Sequence, residues 1–267
     1  MRRVLLSAFS ALVLAGSLAL SPTASAQSAP SPDEVNIQDL VIANRILYNQ
    51  GVVDGFGHVS IRSEKNPNHF YLSRSMAPGL VTRDDILELD LDGNVIDARG
   101  RKSYLERFIH AEIYRARPDV KAVVHSHSPA VIPFSVTTAP FKPVSHMGAF
   151  LGAGSPVFEI RTIQTDSDML IRNGDLAKAL AKSLGSSTVC LLRGHGDVVV
   201  GESLRQVVFR AIYTEMNAKL LSEAMKLGPV VFLNLQEADN AAKTNDGQLG
   251  RPWELWKQKA MPETPAK

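Results

Sequence analysis

Residues 120–127 read VKAVVHSH, from Val120 to His127, and this stretch decides what kind of sheet the chain builds. Val120, Val123 and Val124 are β-branched, so the run predicts a strand from Val120 to His125. Residues two apart on a strand face the same way, which sets the His125 and His127 rings side by side at its end. Two such imidazoles can share one metal ion. They can also be two hydrogen-bonded histidines at a sheet edge. Just upstream, Tyr104 to Ala116 has helical spacing and closes at Arg117-Pro118, so a helix feeds the strand.

Working outward, the spacing of Val35, Leu40, Ala43 and Leu47 predicts a helix from Val35 to Asn49 that ends near Gly51. Val59 and Ile61 alternate with polar neighbours, Phe70 to Ser73 reads as the antiparallel partner, and Asp92-Gly93 predicts a hairpin turn between Leu87–Leu91 and Val95–Asp97. Downstream come a helix from Asp175 to Leu184, a strand from Thr188 to Arg193, a short strand from Val198 to Val200, and a long helix from Leu204 to Lys226 stopped by Gly228-Pro229. Strand pairs interleaved with helices predict an α/β sandwich: a central, mainly antiparallel sheet covered by helices. The Gly-rich phosphate loop of doubly wound nucleotide folds is missing, and no internal repeat is present.

The ends of the chain carry a different signal. Arg2-Arg3, the apolar run Val4 to Leu20 and the small-residue pattern Ala24-Ser25-Ala26 predict a secretory signal peptide over residues 1–26. A membrane anchor fits less well, because Ser7, Ser10, Gly16 and Ser17 break a run that would need about 20 apolar residues. Residues 27–34 read as a linker, 35–260 as one domain and 261–267 as a frayed tail. The whole chain holds 29 basic and 27 acidic residues. Removing Arg2 and Arg3 with the signal leaves 27 of each, which argues against a nucleic-acid partner. Export and a periplasmic location follow as expectations, with no membrane contact after cleavage. The single cysteine, Cys190, cannot form an intramolecular disulfide and reads as a small core residue of a strand.

A third histidine strengthens the metal reading. His195 stands between Gly194 and Gly196 just after the apolar strand, where glycines let the backbone turn and present a side chain. A fourth donor is Glu106, at the start of the helix that feeds the His125 strand. Ser103-Tyr104-Leu105-Glu106 also fits the capping box, in which the glutamate only satisfies a backbone N–H. His110, one turn beyond Glu106, reads either as an outer partner of a ligand or as a satisfied core histidine. Three imidazoles and a carboxylate suit one divalent ion, Zn²⁺ first and Mn²⁺ or Fe²⁺ by ligand type. Such an ion stabilises the enolate formed when a carbon–carbon bond breaks, and the carboxylate can move the proton.

The order Glu106…His125-Ser126-His127…Gly194-His195-Gly196 resembles the class II aldolase/adducin family over nearly the whole mature chain. The resemblance implies that His125, His127, His195 and Glu106 bind the metal, with Glu106 also acting as acid and base. The sugar-phosphate aldolases of that family hold phosphate with Gly-Asn, Thr-Gly and paired serines. Here the corresponding positions are Gly57-His58, Pro78-Gly79 and Tyr104-Leu105, which removes donors a phosphate dianion needs. The segments Asp54 to Ser60, Ser73-Arg74-Ser75 and Arg107 to Glu112 instead resemble the decarboxylase branch, which includes the hydroxy-methylpyridine-dicarboxylate decarboxylase. That likeness implies a small-molecule substrate, a hydroxy-aromatic or hydroxy-carboxylic acid. Arg74 and Arg107 are then candidates to clamp its carboxylate, and His58 or His146 to donate a proton.

Three rival readings stand beside this one. An aldolase acting on a non-phosphorylated hydroxy or keto substrate would use the same metal, and an iron-dependent oxygenase would consume dioxygen. A binding module like the adducin head would dispense with metal, yet this chain keeps all three histidines. The resemblance also implies a homotetramer in which a neighbouring subunit closes the pocket. The helix Leu204 to Lys226 and the segment Trp253 to Trp256 are candidates for the interface or a pocket lid, or else cover their own core.

Overall fold

The structure is a computed structural model and describes residues 30–261; the predicted signal peptide and all of the predicted tail but Met261 lie outside the described residues. Helix α1 (Pro32–Asn49) opens the domain. The Ser31 hydroxyl accepts the Glu34 N–H at 3.2 Å, and Pro32 occupies the first turn. That cap starts the helix three residues before the predicted Val35, so the predicted linker over 27–34 gives way to helix at Pro32.

Strands β1 (His58–Arg62), β2 (His69–Ser73) and β3 (Ile86–Asp90) form the predicted meander. The Asp92-Gly93 turn forms with Gly93 at φ +77°, but its far side contributes only an isolated bridge, Leu89 to Val95. The Asp90 carboxylate takes the Asp92 and Asn94 N–H groups and holds the chain in a compact turn in place of a second strand.

Helix α2 (Arg107–Ala116) leads into β4 (Ala122–Ser126), followed by the single turn α3 (Ile132–Ser135) and the short strand β5 (Val157–Phe158). Helix α4 (Gly174–Leu184) and strands β6 (Val189–Leu192) and β7 (Gly196–Gly201) come next. Then come α5 (Leu204–Leu227), α6 (Leu235–Asp246) and α7 (Gly250–Ala260). The sheet order is β3-β2-β1-β4-β7-β6-β5, antiparallel throughout except for β5 beside β6.

Alternation along the strands divides the core in two. Val59, Ile61, Ala122, Val124 and Val199 face a layer built by α1, α5 and α7. Phe70, Leu72, Val123, Cys190 and Val198 face α2 and α4. Each fully buried aliphatic side chain contributes about 1.5–3 kcal/mol relative to exposure, so both faces need their helical cover. Trp253 and Trp256 are buried in the first layer, which makes α7 a cover for its own core. Among the described residues, no helix is long and apolar enough to cross a membrane.

The same alternation positions the chemistry. His58 pairs with His125 across β1 and β4, and Ser60 pairs with Val123. Val123 faces α2, so His125 and Ser60 face α2 as well, at the sheet end where β4 finishes. Ser126 pairs with Asp197 of β7, which brings the β6–β7 hairpin and its His195 to that end.

Candidate metal centre

Each ligand side chain is delivered by the end of an element. His125 is the penultimate residue of β4, and His127 lies one residue beyond it. His195 sits in the tight hairpin joining β6 to β7. Gly194 there has φ +65°, and a Cβ on Gly196 would lie 1.9 Å from the Ser126 carbonyl oxygen. Only glycine lets the hairpin approach β4 this closely. Glu106 is the residue immediately before α2, and its side chain makes no cap. Its Oε1 accepts the backbone N–H of Ile171 at 2.8 Å, while Ser103 Oγ is buried without a partner. The predicted capping box is therefore not formed, and the helix starts at Arg107 instead of Tyr104. The carboxylate is drawn across to the segment ahead of α4.

Glu106, His125, His127 and His195 each bring one donor atom into a group spanning at most 4.8 Å. Glu106 Oε2 lies 3.4 Å from His125 Nε2 and 3.6 Å from His195 Nε2, and the Nε2 atoms of His127 and His195 are 3.0 Å apart. Donors about 2.0–2.1 Å from a tetrahedral ion sit about 3.3–3.4 Å from one another, so the spacing suits a single small cation.

Hydrogen bonding supports the same fit. A carbonyl can only accept, so the 2.9 Å contact between His125 Nδ1 and the Asp197 carbonyl oxygen places the imidazole proton on Nδ1. Nε2 is left buried without a hydrogen-bond partner and aimed at the cluster. This is the arrangement in which an outer carbonyl orients a metal-binding imidazole.

The electrostatics match. Burial drives the Glu106 carboxyl upward, but His125, His195 and the Ile171 amide outweigh burial and hold it at about 2. Burial lowers His195 to about 4, reinforced by the neighbouring charge of His125, and lowers His127 in the same way. Burial also opposes charge on His125, and there the Glu106 carboxylate prevails and raises the pKa. A cation competes with that proton for the same nitrogen.

Glu106, His125 and His127 of the cluster border a cavity of about 280 Å³ whose other walls include Phe56, His58, Met76, Tyr104, Leu105 and Leu170. His58 lines it directly. Its Nδ1 lies 2.6 Å from His110 Nε2, so the partner of His110 is His58 and not a metal ligand. Arg74 is absent from the lining, although its neighbours Ser75, Met76 and Ala77 are present. Its guanidinium is paired with Asp85 at 2.6 Å. Arg107 donates to the carbonyl oxygens of Gly93 and Tyr104, where it braces the turn after β3. His146 lines a different cavity, with Met147, Phe209 and Tyr213. The single chain thus brings Glu106, His58 and the three ligand histidines together and leaves Arg74, Arg107 and His146 outside the cavity.

Sequence reasoning missed the Ile171 amide, the Asp197 carbonyl and the aromatic wall of Phe56 and Tyr104. The first two are backbone groups and leave no trace in residue type. Ser60 was legible in principle, because it lies two residues from His58 on the same strand face.

Fold and donor set together define a metal-dependent carbon–carbon lyase. Residues 38–222 match the Class II Aldolase and Adducin N-terminal domain, and the chain belongs to that family. It is 34% identical to decarboxylase tropJ of Talaromyces stipitatus, over 84% of this chain and 94% of that one. It is 33% identical to a 3,4-dihydroxyphthalate decarboxylase of Arthrobacter keyseri, over 71% of this chain and 78% of the relative. Among solved structures, an L-fuculose 1-phosphate aldolase from Glaciozyma antarctica superposes with a TM-score of 0.72 at 22% identity, covering 88% of this chain and 93% of its own.

Proposed function

We propose that the protein decarboxylates a hydroxy-aromatic acid, using one divalent metal ion. The observation that carries this reading is that Glu106, His125 and His127 of the four-donor cluster stand on the wall of a cavity whose other walls include the apolar Phe56, Met76, Tyr104, Leu105 and Leu170 and the polar His58 and Ser75. A flat ring fills such a space, while its carboxylate and a neighbouring hydroxyl need the polar end. Two decarboxylase relatives, one named for a dihydroxyphthalate, support the same class of substrate. The loss of phosphate donors at Gly57-His58, Pro78-Gly79 and Tyr104-Leu105 argues against a sugar phosphate.

A divalent cation held by Glu106, His125, His127 and His195 supplies a Lewis acid to an oxygen of the substrate. The remaining work falls to the chain. The apolar walls orient the ring and keep water from it. Glu106 is ionised, so it accepts the proton of a hydroxyl ortho to the carboxylate. Glu106 passes that proton to the ring carbon that bears the carboxylate, which becomes tetrahedral as the ortho oxygen takes on carbonyl character. The carbon–carbon bond to the carboxylate then breaks, its electron pair flows into the ring and restores the aromatic phenolate, carbon dioxide leaves, and Glu106 is ionised again.

Zinc is the proposed ion, since three imidazole nitrogens and one carboxylate oxygen suit it, with Mn²⁺ or Fe²⁺ as alternatives. Export to the periplasm is proposed from the signal pattern over residues 1–26. A homotetramer is proposed from the family, and the exposed Leu227, Val231 and Leu235 support burial against another copy.

The test is metal-reconstituted protein incubated with a panel of 2-hydroxy aromatic acids and aldols, with carbon dioxide and aldehyde both measured. Carbon dioxide released in step with loss of an aromatic acid supports decarboxylation. Aldehyde release from an aldol, with no carbon dioxide from any acid, overturns it in favour of aldol cleavage.

A further inference from the structure

Two of the three ligand imidazoles have no partner behind them. His125 is oriented through Nδ1 by the Asp197 carbonyl oxygen at 2.9 Å. His195 Nδ1 is buried without a hydrogen-bond partner, and among the described residues the side chain of His127 makes its one polar contact with His195 itself. His127 also stands beyond the last ladder pair of β4 with β7, Ser126 with Asp197. Backbone held from elsewhere must therefore aim these two rings.

That hold comes from a buried carboxylate that the proposed chemistry does not use. Glu215 of α5 is 3% exposed. Its Oε2 accepts the Ser128 hydroxyl and the Ala130 N–H, the latter at 3.2 Å, and its Oε1 is paired with Lys219 at 2.9 Å. A buried carboxylate is costly unless it is paired and hydrogen-bonded, and three partners meet that need here. Ser126 Oγ accepts the Ser128 N–H at 3.3 Å and donates to Asp197 Oδ1 at 2.6 Å. The residues on both sides of His127 are thus pinned, one to β7 and one to α5. From Ser128 the chain turns into α3, with the Val131 N–H on the Ser128 carbonyl oxygen at 3.1 Å. At the end of α3, Ser135 Oγ accepts the Gly194 N–H at 2.8 Å, next to His195.

We infer that Glu215 is a positioning residue of the metal centre: by holding the Ser128–Ala130 turn it fixes the direction of His127 and, through α3, supports the His195 hairpin. One carboxylate remote from the ion thereby serves both ligands that lack an outer partner of their own. The inference rests on the four-donor metal centre and is independent of which bond the enzyme breaks.

Zinc affinity of the full-length protein, measured by competition with a chromophoric chelator, separates positioning from plain support of the fold when set beside the melting temperature of the same protein without metal. Glu215→Ala should bind zinc about 10–100-fold more weakly, the range for a lost outer partner of a ligand. Glu215→Gln keeps an oxygen for Ser128 and Ala130 and should recover most of that loss. Ser128→Ala leaves the Ala130 bond and should cost about fivefold, as for one net hydrogen bond of about 1 kcal/mol, and it serves if Glu215→Ala does not fold. A folded Glu215→Ala or Ser128→Ala with wild-type zinc affinity and only a lowered melting temperature overturns the inference. So does a Glu215→Gln that binds zinc as weakly as Glu215→Ala, since charge and not the held turn would then matter. A wild type that binds no zinc overturns the metal centre and the inference with it, whereas carbon dioxide assays judge the decarboxylase reading separately.

Discussion

His125 donates its Nδ1 hydrogen to the carbonyl oxygen of Asp197 over 2.9 Å. That one bond, made across the β4–β7 ladder, decides which nitrogen of His125 faces Glu106 and leaves a lone pair there for a cation. It also ties the donor geometry to the register of the sheet, so ligand loss and fold damage can be separated by choosing where to cut.

His127 lies beyond the end of β4 and is only partly buried, so His127→Ala removes a donor with little loss of core. Metal affinity should fall by more than about a hundredfold, since even outer-sphere changes cost about 10–100-fold. Elemental analysis and turnover should fall together. Chelation of the wild type should lower its melting temperature, as ligand at 100 times its dissociation constant contributes about 2.7 kcal/mol. In His127→Ala the chelator should shift it much less.

Glu106→Gln keeps an oxygen for the Ile171 amide and removes the charge. Turnover should drop by about 10²–10⁴-fold, the range for a lost proton carrier, and the melting temperature at pH 7 should fall as well, because the stabilising charge is gone. The sign of the pH effect in metal-free protein is fixed. A folded pKa of about 2 lies below the ordinary 4.5, so the stability Glu106 contributes is present above that ordinary value and lost as pH falls toward 2. Acid titration of Glu106→Gln, followed by circular dichroism, should lack this component.

His110 carries the opposite kind of shift. Burial first, and then the charge of His125, lowers it to about 3 from an ordinary 6.5. The unfolded chain therefore binds a proton between those values that the folded chain refuses, and stability falls as pH drops below 6.5. His110→Asn removes the titrating ring. Its unfolding free energy should lose about 1.4 kcal/mol less per pH unit than the wild type between pH 6 and 4, measured by urea denaturation. Equal slopes in the two proteins would contradict the buried, neutral His110.

Gly196→Ala tests how tightly the His195 hairpin is held. The added Cβ would fall 1.9 Å from the Ser126 oxygen, a backbone atom that cannot rotate away. Destabilisation of about 3 kcal/mol or more is expected, at the upper end for overpacking, together with loss of bound metal. Gly174→Ala, where nothing lies within 4 Å, serves as the neutral comparison.

Much of this was legible in the sequence for a physical reason. Alternation in Val120 to His127 and the glycines around His195 report backbone geometry directly, so the strands, the ligand histidines and the α/β sandwich follow from them. Periodicity failed where a single side chain settles a boundary: Ser31 starts α1 early, and Asp90 closes a turn where a strand was expected. Helices α6 and α7 went unread, although Asn234 and Glu237 form a complete capping box. Glu106 had two readings because both use the same residue type, and only the Ile171 amide, about 65 residues away in the chain, separates them. Arg74 and His146 could not be placed from spacing, since a pocket is made by residues remote in sequence.

The central claim is that Glu106, His125, His127 and His195 hold one cation between them. Anomalous diffraction at the zinc edge from crystals of zinc-loaded protein tests it most directly. The account predicts one peak per chain, within about 2.0–2.3 Å of one donor atom from each of the four residues. A chain loaded to one equivalent whose peak lies elsewhere, or contacts fewer than three of these side chains, would contradict it.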